Sequence, residues 1–198
     1  MSTALPLNST SVPSLPTTTL DTRITHTQLP TQTSIPLPNV PLDLSGLFQA
    51  PQLMVPLDRS NPTTALGTHI IAQLSSTFST LYTFDIPPEY ADKTCNLIFH
   101  VPPASQEWWQ PFRMTTPGGM LVSRLEAPAT ALTNGVNVGA SKPVGAVNLL
   151  APGEAHLVSS APCEAGARVG YRVDALGALE LEYFQMSVPP SGLFVTAS

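Results

Sequence analysis

From about Leu66 to the C-terminus, apolar and polar residues alternate in short bursts broken by Pro, Gly and Asn. Two bursts lie in residues 81–103, LYTFDIPPEYADKTCNLIFHVPP. In the first, Tyr82, Phe84 and Ile86 project one way and Thr83 and Asp85 the other, the period-two pattern of a half-buried strand. In the second, Cys95, Leu97, Phe99 and Val101 share one face, with Asn96 and His100 opposite, and Pro102-Pro103 end the pairing. The pattern predicts strand, turn, strand, a hairpin. Further strands are expected at 68–74, at 119–125 after the Pro117-Gly118-Gly119 turn, and at 144–150, 154–160, 168–174, 178–184 and 192–197. In 168–174, Val169, Tyr171 and Val173 face inward and Arg168, Arg172 and Asp174 outward. The tight Ala175-Leu176-Gly177 turn predicts a hairpin with the next strand. There Leu181 and Tyr183 face in, and Glu180 and Glu182 share the exposed face. Asn134-Gly135 marks a turn within a long connection at 127–143. No stretch keeps a helical period with caps, so helix is confined to a turn or two. The pattern predicts an all-β, antiparallel β-sandwich of the jelly-roll or immunoglobulin-like kind.

The first 62 residues lack this alternation. Ser, Thr and Pro dominate, as in NSTSVPSLPTTTL and QLPTQTSIPLPNVPLDL. Such a segment buries too little apolar area to offset the cost of ordering it, about 1–2 kcal/mol per residue for the backbone. A disordered arm at 1–62 and a sandwich domain at 63–198 are therefore expected. Asn8-Ser9-Thr10 is an N-glycosylation sequon if the chain meets the secretory machinery, which would make Asn8 a glycan site on an O-glycosylated spacer. Residues 42–57 are more apolar and suit a Pro-rich strand shielding a sheet edge.

Composition narrows the function classes. Charged residues make up 11% of the chain and the net charge is -5. With eight scattered Lys and Arg there is no basic patch to neutralise phosphates, so nucleic acid is not an expected partner. No apolar run reaches the roughly 18–20 residues that cross a bilayer. The first nineteen residues offer neither the basic start nor the apolar stretch of a signal peptide, and none is expected in them. His26, His69, His100 and His156 are isolated from one another, without metal-ligand spacing, and no nucleophile elbow or phosphate-binding glycine motif occurs. Glu180 and Glu182 read as a solvated face rather than a glycoside-cleaving pair, which needs a cleft between its carboxylates. No catalytic residue, metal or cofactor is expected. Trp108, Trp109, Phe112 and Arg113, in EWWQPFR, form the candidate recognition segment: aromatic rings stack on sugar faces while polar neighbours take the hydroxyls. The alternative is that one Trp plugs the end of the sandwich and the other covers a loop.

Several ordered anchors carry a resemblance: TFDIPPEYADKTCNLIF at 83–99, APCEAGARVGYRV at 161–173 and EYFQMSVPPSGLFV at 182–195. Together they resemble the C-terminal domain of the fungal But-two family, named for a yeast protein that binds the Uba-three subunit of the neddylation-activating enzyme. The similarity spans about residues 68–195, with no matched anchor between 104 and 155. It implies a β-sandwich. Cys95 and Cys163 stand at two of the anchors and form an expected disulfide; two buried free thiols are the alternative. Many members look secreted, which implies a secreted or cell-wall-associated protein with a polysaccharide or protein partner. The family's name implies instead an intracellular, cytoplasmic domain docking the neddylation-activating enzyme. An unrecognised hydrolase is the third class.

Overall fold

Alternation becomes thirteen strands in a computed structural model that describes residues 42–103 and 112–198. They are β1 (Leu47–Gln49), β2 (Leu53–Asp58), β3 (Ile71–Leu74), β4 (Phe78–Asp85), β5 (Thr94–His100), β6 (Phe112–Thr116) and β7 (Gly119–Leu125). There follow β8 (Ser141–Val147), β9 (Ala155–Pro162), β10 (Arg168–Leu176), β11 (Glu180–Phe184), β12 (Met186–Ser187) and β13 (Pro190–Ala197). The first sheet runs β1-β13-β5-β9, with β12 also on β13; the second runs β2-β4-β10-β7-β8; the third is β3-β11-β6. Every pairing is antiparallel. The all-β sandwich read from the sequence is the fold observed. The helical content among the described residues is one 3-10 turn, Pro88–Tyr90.

One core joins the three sheets. Leu97, Phe99, Leu193 and Val195 come from the first, Tyr82, Phe84, Met120 and Val122 from the second, and Leu74, Leu181 and Tyr183 from the third. Each fully buried large apolar side chain contributes about 1.5–3 kcal/mol relative to exposure. At the centre the hydroxyls of Tyr82 and Tyr183 share a hydrogen bond of 2.6 Å, so neither is left unpaired. Phe99 meets the Tyr183 ring edge-on at 5.4 Å. Burial raises the pKa of both tyrosines, keeping the phenols neutral.

Both expected hairpins are wrong in topology, although their strands exist. β4 and β5 belong to different sheets, as do β10 and β11. The apolar faces of β4 and β5 meet across the core rather than side by side, and the 3-10 turn with buried Tyr90 carries the chain between layers. After β10, Gly177 turns at φ 67°, and Leu179 is buried as the chain enters the third sheet. A period of two reports which face is buried and leaves the pairing partner open.

Strands begin at Leu47, upstream of the boundary expected at 62/63. The 42–57 segment suits an edge shield by its sequence, and β2 is the edge strand beside β4. β2 is buried on both faces. Met54 enters the main core, while Val55 and Leu57 join Leu81, Leu125 and Ala129 in a second, smaller cluster. That cluster lies under the 127–143 connection, whose Ala129 carbonyl accepts from the Thr83 hydroxyl at 3.3 Å. Asn134 fixes its turn: the side-chain oxygen accepts from the amides of Val136 and Asn137 at 2.9 and 3.1 Å.

At the opposite edge of the second sheet, β8 runs beside β9 and closes the sandwich. Gly145 is required there, since a Cβ at that position would fall 2.0 Å from the Val158 carbonyl oxygen.

Candidate functional site

The third sheet has one apolar face and one polar face. Leu74, Leu181 and Tyr183 anchor its inner side in the core, with Phe112 and Met114 packed against them. Its outer side is built by register. Glu182 pairs with Gln73 on one neighbour and with Arg113 on the other, which lines three polar side chains across the sheet. Gln73 Nε2 donates to Glu182 Oε2 at 3.4 Å, and the Thr115 hydroxyl donates to Glu180 Oε2 at 3.0 Å. Together with Phe78 these residues line an open groove of about 370 Å³. Glu180 and Glu182 are exposed on a strand whose Leu181 and Tyr183 are buried, as the alternation predicts. The groove therefore carries two carboxylates and one guanidinium on a rigid β floor, suited to holding a polar or cationic chain rather than an apolar ligand.

Of the residues expected to form a recognition segment, Trp108 and Trp109 lie outside the described residues, as does the sequon at Asn8. Phe112 and Arg113 open β6 and point to opposite faces. The Phe112 ring sits 5.9 Å from that of Tyr183, on the core side. Arg113 is exposed and lines the groove. Cys95 and Cys163 form the disulfide, with their Cα atoms 4.8 Å apart. It ties the start of β5 to the chain leaving β9, where the Cys163 amide donates to the Lys93 carbonyl at 2.9 Å.

Other charged groups pair with one another. On the outer face of the second sheet, Asp174 Oδ1 accepts from Ser79 Oγ at 2.6 Å and Arg172 Nε at 3.0 Å, and also pairs with Arg59. Arg168 pairs with Asp85 across β10 and β4, and the guanidinium's hydrogen bonds lower the pKa of Asp85. Arg124 grips Glu164 through both carboxylate oxygens and lies over the Tyr171 ring at 5.7 Å. His100 and His156 have their pKa values lowered, burial being the main cause. Among the described residues no three His, Cys, Asp or Glu side chains are grouped to hold a metal ion. No helix among them is long and apolar enough to cross a membrane.

Sequence reasoning found the exposed Glu180–Glu182 face but not the groove. Its other walls come from β3 and β6, far away in the chain, and no local pattern reports that they flank β11. No curated protein matches the chain. Residues 49–189 match the family described as "Ubiquitin 3 binding protein But2 C-terminal domain", and since they are well over half of the sequence, the chain belongs to that family.

Proposed function

We propose that this protein is a non-catalytic, protein-binding β-sandwich whose contact surface is the outer face of the third sheet. The observation that carries this reading is the open groove in which Glu180, Glu182, Arg113, Gln73 and Thr115 converge on a floor held rigid from beneath by Leu181 and Tyr183. The family's description, a binding protein, supports it. A carbohydrate platform draws no support from Phe112, whose ring packs on Tyr183. The Cys95–Cys163 disulfide favours an oxidising destination, so the protein acts outside the cytosol, in the secretory route or the cell wall. Docking to the neddylation-activating enzyme, the intracellular reading, would expose this bridge to reducing thiols.

Carbodiimide joins carboxylates to neighbouring amines and tests the contact surface directly. Applied to the full chain in medium, wall and cytosol fractions of its native host, it should link a partner's lysine to Glu180 or Glu182, in the medium or wall fraction. Partner links formed solely through other carboxylates, such as Glu89 or Glu126, would contradict the assignment. Partner links at these glutamates found solely in the cytosol would retain the surface and overturn the compartment.

A further inference from the structure

The outer face of the first sheet is buried. Leu97, Phe99, Leu193 and Val195 turn into the core, so alternation sends Asn96, Ile98 and His100 of β5 and Phe194 and Thr196 of β13 outward, where Ile98 pairs with Phe194 and Asn96 with Thr196. On the outward side of a sandwich such side chains would meet water, yet Ile98 and Phe194 are 0% exposed and His100 is 9% exposed. Neither Ile98 nor Phe194 belongs to the two apolar clusters of described residues. Phe48 and His100 meet the Phe194 ring edge-on at 6.1 and 5.7 Å, which shields its flanks. Two polar atoms on this face, His100 Nε2 and Thr196 Oγ1, are buried without a hydrogen-bond partner among the described residues, whereas buried polar groups are paired as a rule. The face calls for a cover that is apolar and brings hydrogen-bond acceptors.

The chain upstream of β1 leads onto this face. β1 runs antiparallel to β13 with Leu47 opposite Ala197, so the residues before it leave past that end of the sheet. Residues 43–46 then bend and Leu44 is half-buried. Burial lowers the pKa of His100 and the nearby Asp43 carboxylate raises it, although His100 lies opposite Gly192 at the other end of β13. Traced upstream, the chain has doubled back along the sheet. We propose that residues 37–41, Leu-Pro-Asn-Val-Pro, continue this course as a strap across the outer face of the first sheet, with Leu37 and Val40 packed on Ile98 and Phe194. Pro38 and Pro41 favour a polyproline helix, whose three residues per turn put Leu37 and Val40 on one side. Five such residues reach about 16 Å, against about 13 Å from His100 to Asn96 along β5. The carbonyls of that helix make no internal hydrogen bonds, so they accept from the Thr196 hydroxyl and from His100 Nε2 in the tautomer protonated there. The strap covers a different sheet from the proposed contact surface and does not depend on the protein-binding reading.

The test uses the full chain in two forms. In the first, p-benzoylphenylalanine replaces Val40, the protein is irradiated, and the linked peptides are sequenced by mass spectrometry. Links within one chain to residues 96–100 or 192–196 are expected. In the second, Leu37→Ser and Val40→Ser remove the apolar contacts without adding charge, and the His100 imidazole is titrated by NMR. Its pKa should rise from its lowered value toward the ordinary histidine value of about 6.5, because losing the strap lets water reach the ring. Absence of links within the chain, links solely to other segments, or a His100 titration that the serines leave unmoved would overturn the strap. Links formed between chains, rising with protein concentration, would overturn the choice of occupant and make this face a contact between copies.

Discussion

Replacing Gly145 with Ala tests how the sandwich closes. The added Cβ would lie 2.0 Å from the Val158 carbonyl oxygen and 2.9 Å from its carbon, against the 3.4 Å at which ordinary contact begins. The obstacle is backbone, at the bulge where β9 passes between its paired residues Leu157 and Ser159, so a rotamer change cannot relieve it. β8 or β9 must therefore move by about an ångström or more, and moving either opens the packing of Val147 and Val158 into the core. Overpacking of a well-filled interior costs about 1–3 kcal/mol, and a backbone clash belongs at the upper end, about 3 kcal/mol. For a domain of this size each kcal/mol lowers Tm by about 2–4 °C, so differential scanning calorimetry should find a fall of about 6–12 °C. Gly46, with nothing within 4 Å of its Cβ position, is the control: Gly46→Ala should stay within about 0.5 kcal/mol of wild type. A Gly145→Ala variant melting within about 1 °C of wild type would refute the close approach of β8 and β9.

Three further outcomes are expected. Replacing Cys95 and Cys163 together with Ala opens a loop spanning 68 residues and should cost about 4 kcal/mol in the chain-entropy model, read as the loss of unfolding free energy extrapolated to zero urea, with a steeper slope because the unfolded chain expands. Tyr183→Phe leaves the buried Tyr82 hydroxyl without its partner and should cost about 1–3 kcal/mol by urea unfolding, whereas Tyr82→Phe with Tyr183→Phe should cost less than the sum of the single changes. Because burial lowers the pKa values of His100 and His156, the unfolded chain takes up protons first; stability should be full above the ordinary histidine value near 6.5 and decline as pH falls below it. Replacing both histidines with Gln should flatten that part of a plot of Tm against pH.

The residues that read clearly in the sequence are those whose neighbours in the chain determine their environment. Val169 and Val173 face in and Arg168 and Arg172 out because successive side chains on one strand alternate, whatever the strand pairs with. Pairing itself is a long-range property. The alternation in β4 and β5 fits a hairpin and a sheet crossing equally well, and burial of Tyr90 in the connection, which carries the chain across, has no period to reveal it. β6 does not stand out as a strand because Phe112 and Arg113 adjoin the Trp108–Trp109 pair in one aromatic segment, although adjacent strand residues serve opposite faces. The groove was illegible for a similar reason: Gln73, Arg113 and Glu182 become neighbours by register alone. The disulfide was legible from the family anchors rather than from the spacing of two cysteines.

The central claim is that this domain acts by holding a partner against the outer face of the third sheet. Glu180 and Glu182 are exposed and contribute little to the core, so Glu180→Gln with Glu182→Gln separates binding from folding. The decisive measurement is calorimetric titration of the doubly substituted chain with the partner identified by cross-linking. The account predicts an affinity at least about tenfold weaker than wild type with an unchanged Tm, the loss shrinking as salt is raised. Wild-type affinity in the double variant would contradict it.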